Sequence, residues 1–141
     1  MATLVKIVLL FILSHSMVLA QEQSVQTITV KVNNIDNDHG LVYVSLFDSE
    51  EKFLNQGIRS VSAKIQNNRC EVVFKDVPEG VYAISLYHDE NGNNTLDSNL
   101  LGIPKEDYGC SNNAKGFMGP PKWEDAKFEV KNQSIIQSIT L

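Results

Sequence analysis

Apolar and polar residues alternate with a period of two along most of the chain from Ile28 onward, and helical periodicity nowhere persists beyond about two turns. An extended strand points successive side chains to opposite faces, so each alternating run predicts a strand with one buried face. The inward sets are Ile28, Val30 and Val32; Val42, Val44 and Leu46; Val61, Ala63 and Ile65; Cys70, Val72 and Phe74; Tyr82, Ile84 and Leu86; Ala126, Phe128 and Val130; and Ile135, Ile139 and Leu141. These runs predict seven strands.

Turn residues divide them. Residues 33–40 form an Asn/Asp-rich segment closing on glycine, and Val77-Pro78-Glu79-Gly80 joins a φ-presetting proline to a glycine free to take positive φ. Asn67-Asn68 suits a two-residue hairpin, because asparagine tolerates left-handed geometry. Only residues 48–56 have helical character, with Asp48 or Ser49 as cap and Glu50 and Glu51 at the positive end of the helix dipole. The predicted fold is all-β, an antiparallel β-sandwich of about seven strands, immunoglobulin-like or transthyretin-like, with at most one short helix. It carries one long irregular loop region, residues 89–125, where alternation stops and Gly, Pro, Asn and aromatic residues gather. A connection of that length in a compact domain is usually functional or else hides elements that alternation does not reveal, and it is taken as the functional side of the molecule.

Length and composition narrow the picture. A chain of 141 residues with 43% hydrophobic and 21% charged content supports one domain of ordinary size. Its formal charge of −5 gives no basic footprint for a phosphate backbone, so nucleic acid is not an expected partner. Residues 1–20 stand apart: Lys6, the apolar run Ile7 to Leu13 and the small-residue end Val18-Leu19-Ala20 predict a cleaved signal peptide. That run is far shorter than the roughly 20 residues a bilayer-crossing helix needs, and no later segment predicts a transmembrane span. The domain is then residues 21–141, exported to the periplasm, the cell surface or the medium. In an exported chain the two cysteines, Cys70 and Cys110, form a disulfide or pack as separate buried thiols; the sequence leaves both open. His39 and His88 stand at no zinc-ligand spacing.

The irregular region opens with Asp89-Glu90-Asn91-Gly92-Asn93-Asn94-Thr95-Leu96-Asp97, in which oxygen-bearing side chains recur at every second position. A hard cation takes six to eight oxygens at about 2.4 Å, and a tightly curled loop turns alternate side chains inward to supply them. Asp89, Asn91 and Asn93 would give side-chain oxygens, Thr95 its carbonyl, and Asp97 a direct or water-mediated contact, while Leu96 would plug toward the core. The twelfth place is Leu100 instead of a bidentate glutamate, so an outside carboxylate among Asp36, Asp38, Glu106 and Asp107, or water, must complete the shell. The expected ion is calcium, held weakly at about 10⁻⁴ to 10⁻³ M. The alternative is an Asx-rich turn held by its own side chains. Tyr108, Phe117 and Trp123 offer a candidate surface for a sugar ring or an apolar peptide, or else cap the open end of the core.

The run from Tyr82 to Asn93, then Leu96-Asp97, Leu101-Gly102-Ile103-Pro104-Lys105-Glu106, Tyr108-Gly109, Ser111-Asn112-Asn113-Ala114 and Gly119-Pro120-Pro121, resembles the bacterial exported domain-of-unknown-function family 2141. The resemblance implies export and a compact β domain and supplies no reaction. Where that family is expected to have glycine at the sixth loop place and phenylalanine after Tyr108-Gly109, this chain has Asn94 and Cys110. The second difference favours a packed Cys110 thiol unless Cys70 is present as its disulfide partner.

No nucleophile elbow, phosphate-cradling glycine loop or zinc-protease helix motif occurs. The expected function is therefore an exported, non-catalytic binding or accessory module of the cell envelope with a calcium loop, its ligand an envelope protein or a carbohydrate. The alternatives are a small secreted hydrolase using carboxylates of the 89–125 region, such as Glu90, Glu106 and Asp107, or a purely structural secreted domain.

Overall fold

The computed structural model describes residues 24–141; the signal peptide expected over residues 1–20 lies outside them. Eight strands run in chain order: β1 (Val25–Asn33), β2 (Leu41–Phe47), β3 (Arg59–Ala63), β4 (Cys70–Pro78), β5 (Gly80–Asp89), β6 (Tyr108–Cys110), β7 (Phe128–Val130) and β8 (Ile135–Thr140). A 3-10 turn (Ser111–Asn113) and a one-turn helix, α1 (Trp123–Ala126), lie between β6 and β7.

The strands form a two-sheet sandwich. One sheet has the order β4-β1-β8 and the other β3-β2-β5-β6. β5 is long enough to hold two short strands along one edge, with β6 paired to Ser85–Tyr87 and β7 to Gly80–Tyr82. The alternation that predicted the strands now faces both sheets inward: Ile28, Val30, Val32, Val42, Val44, Leu46, Phe74, Ile84 and Ile139 are all fully buried in one cluster. Each such side chain contributes about 1.5–3 kcal/mol by leaving water, which makes this cluster the main source of stability.

Four details differ from the sequence expectation. The sheets are not wholly antiparallel, because β8 runs parallel to β1, pairing Ile28 with Ile135 and Val32 with Ile139. After β7 the chain crosses between sheets instead of reversing in a hairpin, so its last strand runs in the same sense as its first. The eighth strand, β6, comes from the irregular region, where three residues are too few to show alternation. Residues 48–56 form hydrogen-bonded turns, with Leu54 at a φ of 61°, and among the described residues the only α-helical turn is α1, which takes Ala126 out of the predicted strand. Packing stops the winding, since Phe53 is drawn against Phe47 and Trp123 before the chain returns to β3. Lastly, Val61 is 38% exposed, because β3 is an edge strand that the core covers on one side only.

The asparagine hairpin forms as expected, with Asn67 and Asn68 at φ 53° and 60° between bridged Gln66 and Arg69. No helix among the described residues is long and apolar enough to cross a membrane.

Candidate functional site

β5 ends by turning Asp89 onto the outer face of its sheet, where the following loop curls over it. Asp89 is 1% exposed. Its Oδ1 accepts from the N–H groups of Gly92 (2.8 Å) and Asn93 (3.2 Å), and its Oδ2 from that of Asn94 (2.8 Å). Positive φ at Gly92 (74°) and Asn94 (64°) bends the backbone so that these donors converge. Asparagine thus meets the backbone demand that glycine would otherwise fill at the sixth place.

Two of the loop's asparagines turn their amides onto Asp97. Asn91 Nδ2 donates to Asp97 Oδ2 (2.6 Å) and Asn93 Nδ2 to Asp97 Oδ1 (2.9 Å), while Asn93 Oδ1 accepts from the N–H and hydroxyl of Thr95. Of the four outside carboxylates considered, Glu106 is the one that joins the loop: its Oε2 accepts from Asp97 N–H (2.9 Å) and its Oε1 from Glu90 N–H (3.2 Å). With both oxygens bound to backbone, Glu106 clamps the two ends of the loop together. Asp38 instead pins the Asn67-Asn68 hairpin, accepting from both of its N–H groups. Leu96 does not plug inward and stays 38% exposed. Among the described residues no group of three or more His, Cys, Asp and Glu side chains converges as a metal cluster, so any cation here must draw on the asparagine amides.

Beside the loop, the outer face of the β3-β2-β5-β6 sheet carries a row of aromatic residues, of which only Tyr108 was among the candidates expected from sequence. Tyr43 pairs in register with Tyr87, and Tyr87 with Tyr108, which places three tyrosines side by side on three adjacent strands. Tyr43 and Tyr87 stack with centroids 5.4 Å apart and planes 13° from parallel. The next row is Ser60, Ser45 and Ser85, with the Ser45 and Ser60 hydroxyls 2.8 Å apart. The Tyr43 hydroxyl donates to Asn94 Oδ1 and so ties the row to the loop. Burial, the Asp89 carboxylate, Tyr43 and Glu106 push the Tyr87 phenol above its usual range, keeping it a proton donor. In sequence Tyr43 and Tyr87 occupy only the polar phase of their strands, so alternation does not mark them as members of a row.

Of the aromatic residues that were expected to form the surface, Tyr108 belongs to this row and is 41% exposed. Phe117 lies fully in solvent in the bend over residues 117–120, whereas Trp123 is 8% exposed and packs edge-on against Phe53. Trp123 therefore belongs to a second buried cluster, with Phe47, Ala83, Cys110 and Ala126, which covers the other end of the same outer face. His88, at the end of β5, is wholly buried and donates from Nε2 to the His39 carbonyl (2.7 Å). Its role is to hold the 34–40 loop.

The thiols are free and apart: Cys110 sits in this second cluster, and Cys70 packs at the rim of the main core. The disulfide left open by the sequence is not formed. Burial pushes both thiols up to about 11, with a hydrogen bond to Ser85 partly opposing the rise at Cys110. Both should alkylate at pH 8 roughly a hundredfold more slowly than an open thiol, since the thiolate is the nucleophile. Their contribution to stability is complete below pH 9 and is lost as pH rises toward 11, because the unfolded chain releases these protons first. Thiol titration with and without denaturant checks this; two thiols are expected in denaturant without reductant.

Residues 30–137 match the family described as an uncharacterized protein conserved in bacteria (DUF2141). The chain belongs to this family. The DUF2141 match takes in the whole of the 89–107 loop, its Glu106 clamp and all three tyrosines of the row. No curated protein and no solved structure matches the chain.

Proposed function

We propose that this DUF2141 protein is an exported, non-catalytic binding module of the cell envelope, in which calcium held by residues 89–97 fixes the edge of an aromatic face that takes a carbohydrate. The observation that carries the reading is the bond from the Tyr43 hydroxyl to Asn94, through which the order of the loop reaches the tyrosine row. Two amide nitrogens meet on the Asp97 carboxylate, and a half-turn of either amide puts an acceptor oxygen at the same place. A cation arriving there finds Asp89, Asn91, Asn93 and Asp97 as oxygen donors, with the Thr95 carbonyl and water completing six or more. Each half-turn gives up the present bond from Asn93 or Thr95 N–H, which supports weak binding. Tyrosines give an amphipathic surface of ring and hydroxyl, and the serine row adds further donors and acceptors, a combination that matches a sugar.

Retention on purified peptidoglycan and on a panel of insoluble polysaccharides tests the face. Tyr87→Ala is expected to weaken retention by roughly three- to tenfold, the worth of one aromatic contact, while Phe117→Ala leaves it unchanged. Absence of wild-type retention on every glycan, or retention indifferent to Tyr87→Ala, overturns the carbohydrate assignment.

A further inference from the structure

A second site lies away from the tyrosine face, where β1 and β3 end and β4 begins. A groove of about 570 Å³ opens there, within the range of small-molecule sites, and Lys31, Lys64 and Arg69 all line it. Its acidic member is Glu71, the cross-strand partner of Lys31 in the β1-β4 ladder. Among the described residues the salt bridges involve Lys52, His88, Lys127 and Lys131, and none neutralises these three cations. On a chain of net charge −5, three unpaired cations around one groove are a local reversal of sign.

The cations do not ride on a loose loop. Lys64 and Arg69 flank the Asn67-Asn68 hairpin, whose N–H groups are both held by Asp38 at 2.9 and 2.7 Å. Asn68 is further fixed by its amide to the Ile35 carbonyl (2.6 Å) and by its own carbonyl to Ile35 N–H (3.1 Å). With both oxygens engaged by backbone, Asp38 fixes the hairpin that carries two of the cations. The Cys70 thiol in the lining keeps its proton at neutral pH and does not repel an anion.

We propose that this groove binds a small phosphorylated ligand, with the Arg69 guanidinium taking a phosphate in bidentate fashion and Lys31 and Lys64 acting as point charges around it. Planar Arg recognises phosphate by geometry and Lys by charge, and the groove supplies both. Gln66, also in the lining, adds a neutral donor. The site is independent of the calcium and carbohydrate reading.

Titration of the ¹⁵N-labelled protein with pyrophosphate at low ionic strength is the test, with inorganic phosphate as the monovalent-site comparison. Shifts are expected at residues 31–33 and 63–71, weakening with added salt as screening predicts. Lys64→Gln and Arg69→Gln should each weaken binding roughly five- to tenfold, Glu71→Gln should tighten it, and Lys105→Gln should change nothing. Lys64 and Arg69 are exposed, so an unchanged melting temperature separates loss of binding from loss of fold. Anionic phospholipid vesicles form the second arm: co-sedimentation that pyrophosphate displaces assigns the ligand as a lipid headgroup, and pyrophosphate binding without vesicle binding assigns it as a free phosphate compound. No shift with pyrophosphate, or shifts that survive the Lys64→Gln/Arg69→Gln double variant, overturns the site.

Discussion

Asp89→Ala is expected to lower the stability of the calcium-free protein by about 2–4 kcal/mol and to remove its response to calcium. The first effect comes from three backbone N–H groups that the buried carboxylate holds, at Gly92, Asn93 and Asn94. An unsatisfied buried donor costs about 1–3 kcal/mol, and part is recovered here because the loop beyond Asp89 is open to water. At several degrees per kcal/mol for a domain of this size, the melting temperature falls by roughly 10 °C. The second effect follows from linkage: an ion bound only by the folded state stabilises it by RT ln(1 + [L]/Kd), about 1.4 kcal/mol at ten times Kd. Wild-type protein should therefore melt several degrees higher in millimolar calcium, and magnesium should do less, since it holds its waters and demands a tighter octahedron. Glu90→Ala, whose side chain is not one of the expected oxygen donors, should keep the calcium shift. A wild-type melting curve indifferent to calcium and chelator would leave residues 89–97 as a nest of Asx turns with a structural role alone.

Gly40→Ala is expected to be among the most damaging single changes, costing about 3 kcal/mol or more. Gly40 has a φ of +67°, which costs a residue with a Cβ about 1–2 kcal/mol. The larger part is collision: a Cβ there would lie 1.9 Å from the Asp89 carbonyl oxygen and 2.9 Å from Glu90 Cα. Both are backbone atoms that cannot swing away, so the Leu41–Asp89 pairing that starts the β2-β5 ladder must open. Gly92→Ala is the control, because its φ of +74° imposes the same conformational cost while nothing lies within 4 Å of the added carbon. Urea unfolding of the two variants should separate them by roughly 2 kcal/mol. Equal losses would show that conformation and not contact governs Gly40. Since the collision falls on Asp89 itself, Gly40→Ala should also weaken any calcium shift.

That dependence of the loop on a glycine nearly fifty residues upstream shows where the sequence stops being informative. Alternation is a local property, and it located the strands because each strand had to bury one face: Ile28, Val30 and Val32 are buried as the pattern requires. Within the loop, Asn91 and Asn93 lie two residues apart and both amides reach Asp97, a contact between near neighbours in sequence. Turn chemistry located the hairpin at Asn67 and Asn68, whose left-handed geometry few other residues tolerate.

Contacts between distant segments were decided only by the fold. The clamp on the loop had to be chosen among four carboxylates, and only the path of residues 90–107 brings Glu106 back onto Asp97. Trp123 is buried because residues 111–126 fold over the outer face of one sheet, an arrangement no periodicity records. The tyrosine row exists because β2, β5 and β6 align Tyr43, Tyr87 and Tyr108 in register, and register is a relation between strands. The parallel placement of β8 beside β1 has the same origin: an alternating pattern fixes which face of a strand is apolar and is silent on which neighbour the strand meets, or in which direction it runs.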